Sequence, residues 1–381
     1  MPASLPSELW LRVLEDLEQP LVDDLKGELR ERHEALKSCC LVSRLFHKLA
    51  QPLFWRRRRL TSPIRKWDLR TGEPLPDSDL RRLEELRRHT RVLQIVNEGG
   101  FGDRYSTAAP TLRAYANVEE LELRAISGVG SDDEVTPETL ACLSNLRSLN
   151  LVCSSTCYGE AVLPALEELT FNWCWLNARD LAEFASPSWT PALRALAISD
   201  AKTYTEEEEK IEHAPQVSDE LLAQLDFLQL DGNNYDTMDD QTFASDCPVL
   251  LDLLPWMLES LPGDFEDDAE EGFSLPRHFR IRTIGDRSTA NLLFFLQTPS
   301  LRPATLVLPW TIHPDSDYDA EVNGGYYEDR EEVVATCAER GIEILWCEPE
   351  YKGVKNELLC REFWEYVKGK REGKDGLEPR A

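Results

Sequence analysis

A chain of 381 residues with 42% hydrophobic content is long enough for one large domain beside a small one and can bury a sizeable core. Its 42 Lys+Arg stand against 70 Asp+Glu, a formal net charge of -28, and the imbalance is local: Met1–Arg91 holds 19 basic against 15 acidic residues, and the remainder 23 against 55. An acidic body of this kind disfavours nucleic-acid phosphates and anionic membranes as partners, and favours either plain solubility or a basic protein partner.

Ten cysteines imply no disulfide framework. Cys39 and Cys40 are adjacent on a helical pattern, while Cys142, Cys153, Cys174, Cys247 and Cys347 sit beside apolar runs as small hydrophobes do. There is no basic-then-apolar leader, no apolar run near the roughly 18 residues of a membrane span, and no Asn-x-Ser/Thr sequon. These features point to a reducing intracellular compartment, cytoplasmic or nuclear.

In chain order, Leu5-Pro6-Ser7-Glu8-Leu9 opens an amphipathic helix: Pro6 and Glu8 suit a first turn, and Leu9, Trp10, Val13, Leu14 and Leu17 share one broad face. A charged connection runs from Glu18 to Glu34, and then Leu36, Cys39, Cys40, Leu45, Phe46 and Leu49 repeat the helical spacing up to Pro52, which is expected to end it. About 60 residues make a marginal unit, so apolar faces this broad read as a docking surface. The competing reading is a cap on the core of the following domain.

Leu-Pro-Ser-Glu-Leu at 5–9, followed by Leu-Val-Ser-Arg-Leu-Phe-His-Lys-Leu-Ala-Gln-Pro-Leu-Phe-Trp at 41–55, resembles the F-box, in particular its fungal form. The resemblance covers about the first sixth of the chain and implies binding to the Skp-family adaptor of a cullin-RING ubiquitin ligase. Carried over by position, it makes Leu5, Pro6, Leu9, Val13, Leu14, Leu41, Val42, Phe46, Leu49, Leu53 and Trp55 adaptor-facing. The connection from Glu18 to Glu34 departs from the family by its length and charge and reads as a solvated insertion, which costs little closure entropy.

Arg56-Arg57-Arg58-Arg59 is read as the solvated edge of a strand in preference to a nuclear localisation or phosphate-binding patch. Thr61–Asp79 is a turn-rich link, and Leu80, Leu83 and Leu86 predict a surface helix over Asp79–His89. From Thr90 onward a short apolar form recurs at Val118–Leu123, Leu146–Leu151, Leu166–Phe171, Leu193–Ile198 and Leu225–Leu230, with a precursor at Val92–Ile95. Its central leucines, Leu93, Leu121, Leu149, Leu169, Leu196 and Leu228, are 28, 28, 20, 27 and 32 positions apart, close to the leucine-rich-repeat window. Helical returns are expected at Thr136–Leu143 and Ala178–Phe184. Three further strands are expected at Phe279–Ile281, Thr305–Leu308 and Gly341–Trp346, with a helix at Arg330–Arg340 before the last.

Gly128-Val-Gly130 lacks the third glycine of a dinucleotide loop, and Ser131–Glu134 would repel phosphate. Asp315–Asp319 begins like a calcium loop but has Ala320 and Tyr326 where Gly and Glu are needed. Cys153 and Cys157 have no second ligand pair at zinc spacing, and the six histidines are scattered. No catalytic residue, metal or cofactor is therefore expected.

The reading that results is mixed α/β: an F-box at 1–60, a linker and surface helix at 61–89, an irregular leucine-rich-repeat solenoid at 90–350, and a C-terminal helix with a polar tail at 351–381. The order resembles F-box proteins of the leucine-rich-repeat class and implies a substrate receptor, joined through the adaptor to a cullin scaffold, that acts by holding a target close to the ubiquitin donor. Because side chains alternate across a strand, target contacts are expected from Glu120, Glu122, Arg124, Ser148, Asn150, Val152, Glu168, Thr170, Asn172, Ala195, Ala197, Ser199, Phe227, Gln229 and Asp231. The target is expected to be a basic protein, with no nucleic acid or membrane involved. The alternative is an F-box or repeat scaffold that mediates protein–protein contacts outside a ligase.

Overall fold

The computed structural model describes residues 7–15, 35–61, 87–96, 112, 115–124, 140–153, 162–177, 186–199, 202–205, 208–213, 217–231, 245–254, 257–259, 268, 274–281, 289–316, 329–347 and 359–371. The chain divides into two compact units. The first comprises Met1–Leu169, Trp173–Ala192 and Tyr351–Asn356; the second comprises Thr170–Asn172, Leu193–Glu350 and Glu357–Ala381.

The first unit opens with three helices, α1 (Ser7–Glu15), α2 (residues 35–42) and α3 (Arg44–Arg56). Ser43 separates the last two by capping α3: its Oγ accepts from the Phe46 amide at 3.2 Å and its carbonyl from the His47 amide at 2.8 Å. Leu14, Leu36, Ala50 and Leu53 form a small core, with Leu11, Cys39, Cys40, Phe46, Leu49 and Phe54 packed around it. Pro52 does not end the helix, which continues to Arg56. The ring removes one amide donor, but Leu53 and Phe54, just beyond it, are anchored in the core and hold the last turn in place.

Without a link, α3 passes into strand β1 (Arg57–Thr61), which pairs in parallel with β2 (Val92–Val96), so Arg57, Arg58 and Arg59 lie on a strand and Arg56 ends the helix. β3 (Glu120–Arg124) and β4 (Ser148–Val152) follow in parallel, and β5 (Glu168–Asn172) is next to β4 in the strand order. Leu93 is in register with Leu121, and Leu121 with Leu149, so the spacing read from the sequence is the ladder spacing itself.

The same interval governs the return segments. Tyr115 and Val118 donate to the carbonyls three residues before them, and Leu143 and Leu146 do likewise, which places Leu112, Tyr115 and Val118 at positions equivalent to Leu140, Leu143 and Leu146, all buried. Of the helical return expected at Thr136–Leu143, Leu140 is helical and is followed by a turn at residues 141–142, while residues 136–139 lie outside the described residues. The return at Ala178–Phe184 lies outside the described residues, as does most of the helix expected over Asp79–His89. β4 and β5 are each followed by a residue of left-handed backbone, Cys153 (φ 49°) and Trp173 (φ 56°), and a short strand β6 (Trp175–Asn177) comes next.

The second unit continues the repeat with β7 (Ala195–Ser199), an antiparallel pair β8 (Lys202–Thr205) and β9 (Glu208–His213), helix α4 (Asp219–Gln224) capped by the Ser218 Oγ, and β10 (Phe227–Asp231). Then come β11 (Val249–Leu253), β12 (His278–Ile281), α5 (Thr289–Gln297), β13 (Thr305–Pro309), α6 (Arg330–Arg340), β14 (Glu343–Cys347) and α7 (Arg361–Arg371). β7 and β10–β14 are parallel neighbours in that order. α6 has the bounds expected of it and stops at Gly341, whose φ of 69° suits a residue without a Cβ. Among the described residues four strands follow β10 where three were expected: β11 is buried on both faces and shows no alternation. α7 ends at Arg371, inside the 351–381 region where a C-terminal helix was expected. The described residues thus make a mixed α/β repeat structure with leucine-lined parallel strands.

Candidate protein-binding surfaces

α1 carries apolar side chains on two sides. Leu14 is buried and Trp10 meets Phe46 at 4.9 Å between ring centres, while Leu9 and Val13, one turn apart, face away. Leu9 is 44% exposed, Val13 51%, Leu41 83% and Val42 68%; Leu45, which is not among the adaptor-facing positions, is 48% exposed. These are five of the eight large hydrophobic residues exposed among the described residues, so exposed apolar surface is concentrated on the three helices there. The other adaptor-facing candidates differ in placement: Leu14 and Leu53 are core, Phe46, Leu49 and Trp55 are half-buried, and Leu5 and Pro6 lie outside the described residues.

On the strands of the first unit, the positions that alternate with the leucines form a polar ladder. Glu122 is in register with Gln94 on one side and Asn150 on the other. Its carboxylate accepts from Gln94 Nε2 at 2.6 Å, Arg124 Nη2 at 3.1 Å and Asn150 Nδ2 at 3.3 Å. With three donors on it and 5% exposure, Glu122 ties three strands together and does not face solvent. Val152 is also buried, Glu120 is exposed, and Ser148, Arg124, Asn150 and Glu168 are half-buried.

In the second unit the equivalent face is covered. Ala195, Ala197, Phe227, Leu250, Val307 and Cys347 share one cluster with Leu359, Cys360, Phe363, Trp364 and Val367, the inner stripe of α7 and the turn before it. Phe227 lies 5.5 Å from Phe363 and 5.4 Å from Trp364, centre to centre, and His278 lies 5.1 Å from Phe363. The small side chains on β7 leave room for the large rings of the helix.

Polar groups fix both ends of that contact. Gln229 accepts from the Cys360 amide at 2.8 Å and donates to Asp252 at 3.1 Å, and Asp252 faces Arg280 at 3.7 Å. Near the other end Arg371 pairs with Asp226, Lys370 lies 3.6 Å from Glu343, and Tyr366 donates to Glu343 at 2.7 Å. Cys347, hydrogen-bonded to Cys360 and then desolvated by burial, has its thiol pKa raised far above the ordinary range. Of the expected target contacts, Ala195, Ala197, Phe227 and Gln229 are buried against α7 and the turn before it, Ser199, Asp231 and Thr170 are also buried, and Asn172 is half-buried. A signal was present in the sequence, because strands apolar on both faces are covered on both.

Among the described residues no group of three or more His, Cys, Asp or Glu is placed to hold a metal ion, and no helix is long and apolar enough to cross a membrane. Gly128–Gly130, Cys157 and Asp317–Tyr326 lie outside the described residues. The amide of Asp315 donates to His313 Nδ1 at 3.1 Å, closing a local turn.

No protein-family model matches the chain, and no curated protein matches it. Among solved structures the chain is similar to the leucine-rich repeat-containing protein LegL7 from Legionella pneumophila, at 15% identity and a TM-score of 0.35, over 84% of this chain and 99% of that one.

Proposed function

We propose that the chain is a protein-interaction receptor whose N-terminal helices dock on a Skp-family adaptor, making it the substrate-recognition subunit of a cullin-RING ubiquitin ligase. The observation that carries this reading is the exposure of Leu9, Val13, Leu41, Val42 and Leu45 on three helices whose own core is already filled by Leu14, Leu36, Ala50 and Leu53. The F-box resemblance over 5–9 and 41–55 names the partner such a surface fits. The repeat region serves as the target-holding part, and the acidic excess of the chain favours a basic target, bound less tightly as salt rises because exposed charges are screened.

The test is co-expression with a Skp-family adaptor followed by size-exclusion chromatography. The native chain co-elutes with the adaptor; Leu41→Asp/Val42→Asp elutes alone with its melting temperature unchanged, since both positions are exposed. A native chain that elutes alone and folded removes the adaptor reading. A chain that binds the adaptor without recruiting cullin acts outside a ligase.

A further inference from the structure

β7 and β10–β14 have a second face opposite their leucine core. That core stands on its own: Ile198, Leu230, Leu251, Phe279 and Leu306 are in register from strand to strand, and each is fully buried. α7 lies across the other side, on Ala195, Ala197, Phe227, Leu250 and Val307. It is held as a docked peptide is held: an acceptor side chain, Gln229, takes the amide at its start, an apolar slot takes Phe363 and Trp364, and two acids, Asp226 and Glu343, take the basic residues of its last turn.

We propose that this face is a receptor groove for a helix of another protein, and that α7 is its resident occupant, exchanging with a partner helix of the same chemistry. That chemistry is an amphipathic helix with two adjacent aromatic residues in its first turn, an aliphatic residue three or four positions later, and Lys or Arg in its last turn. Polar groups fix the direction, because Gln229 accepts the amide at the start of the helix while the basic end meets Asp226 and Glu343. Occupancy by α7 makes the groove selective, since an incoming helix must outcompete a tethered ligand at an effective concentration on the order of millimolar. The inference rests on the receptor half of the proposed function and not on the adaptor half.

The experiment uses the full chain and a fluorescent peptide spanning Leu359–Arg371. In a chain carrying Trp364→Glu the resident helix is weakened, and the peptide, with its own Trp, binds; the native chain binds it on the order of a hundredfold more weakly, and a Trp364→Ala peptide loses at least about tenfold on the variant. A folded variant that ignores the peptide overturns the proposal. Should the variant not fold, native-state hydrogen exchange on the unmodified chain decides. Amides of α7 that exchange through a local opening while β10 and β13 stay protected support exchangeable docking; amides that exchange only together with those strands overturn it. Adaptor co-elution without peptide binding removes this proposal and leaves the adaptor reading standing, and peptide binding without co-elution does the reverse.

Discussion

The backbone amide of Cys360 donates to Gln229 Oε1 at 2.8 Å, joining residues 131 positions apart in the chain. The same Gln229 donates through Nε2 to Asp252 at 3.1 Å, so one fully buried side chain links β10, β11 and the start of α7. Replacing Gln229 by Ala removes both bonds inside a low-dielectric site, at a cost of about 2–3 kcal/mol. Urea unfolding should show a lower midpoint with an unchanged m-value, and amide exchange in α7 should accelerate more than exchange in β10.

Trp364 is among the largest fully buried side chains and packs on Phe227. Trp364→Ala should cost about 3–5 kcal/mol, whereas Glu365→Ala, at an exposed neighbouring position, should stay within about 0.5 kcal/mol. Equal effects at the two positions in denaturant titrations would contradict the docking of α7.

His278 sits against Phe363, and burial, reinforced by Arg277 and partly opposed by Glu343, lowers its pKa from 6.5 to about 4. The folded chain favours the neutral ring, so on acidification the unfolded chain takes up the proton first. The stability from neutral His278 is whole above about pH 6.5 and is lost as pH falls from there toward 4. Carboxylates titrate in part of this range, so the comparison is between native chain and His278→Gln. Melting temperature should fall less steeply for the variant between pH 6.5 and 4, and parallel curves would refute the assignment.

Burial pushes the Cys247 thiol up to about 12 and that of Cys337 to about 11. Iodoacetamide at pH 8 should modify the half-exposed Cys39, Cys142 and Cys153 on the order of a hundredfold faster than these two. Mass spectrometry of partially labelled chain reads the ratio, and denaturant should abolish it.

How far the sequence reveals this structure depends on whether a residue's surroundings are local. Leu93, Leu121 and Leu149 could be placed in register because each strand repeats one side-chain pattern, and α6 was legible from its charged first turn and the glycine after it. Strand β11 was not, since Val249-Leu250-Leu251-Asp252-Leu253 is buried on both faces and has no period to read. The covering of the outward face was signalled by strands apolar on both faces, but not its source, because what lies over Ala195 and Phe227 arrives from residues 359–371. Pro52 misled for the same reason: its local effect is to break a helix, and the tertiary anchoring of Leu53 and Phe54 overrides it. On the N-terminal helices periodicity identified the apolar positions but not which of them stay open. Leu14 and Leu53 fill the small core, and Leu41 and Val42 do not.

The most direct measurement is hydrogen exchange by mass spectrometry on the full chain, with and without a purified Skp-family adaptor. Adaptor binding should bring new protection to residues 7–15 and 35–49, where Leu9, Val13, Leu41, Val42 and Leu45 are exposed, and no change to 361–371, which is already covered. Protection unchanged at 7–15 and 35–49 with saturating adaptor would contradict adaptor docking.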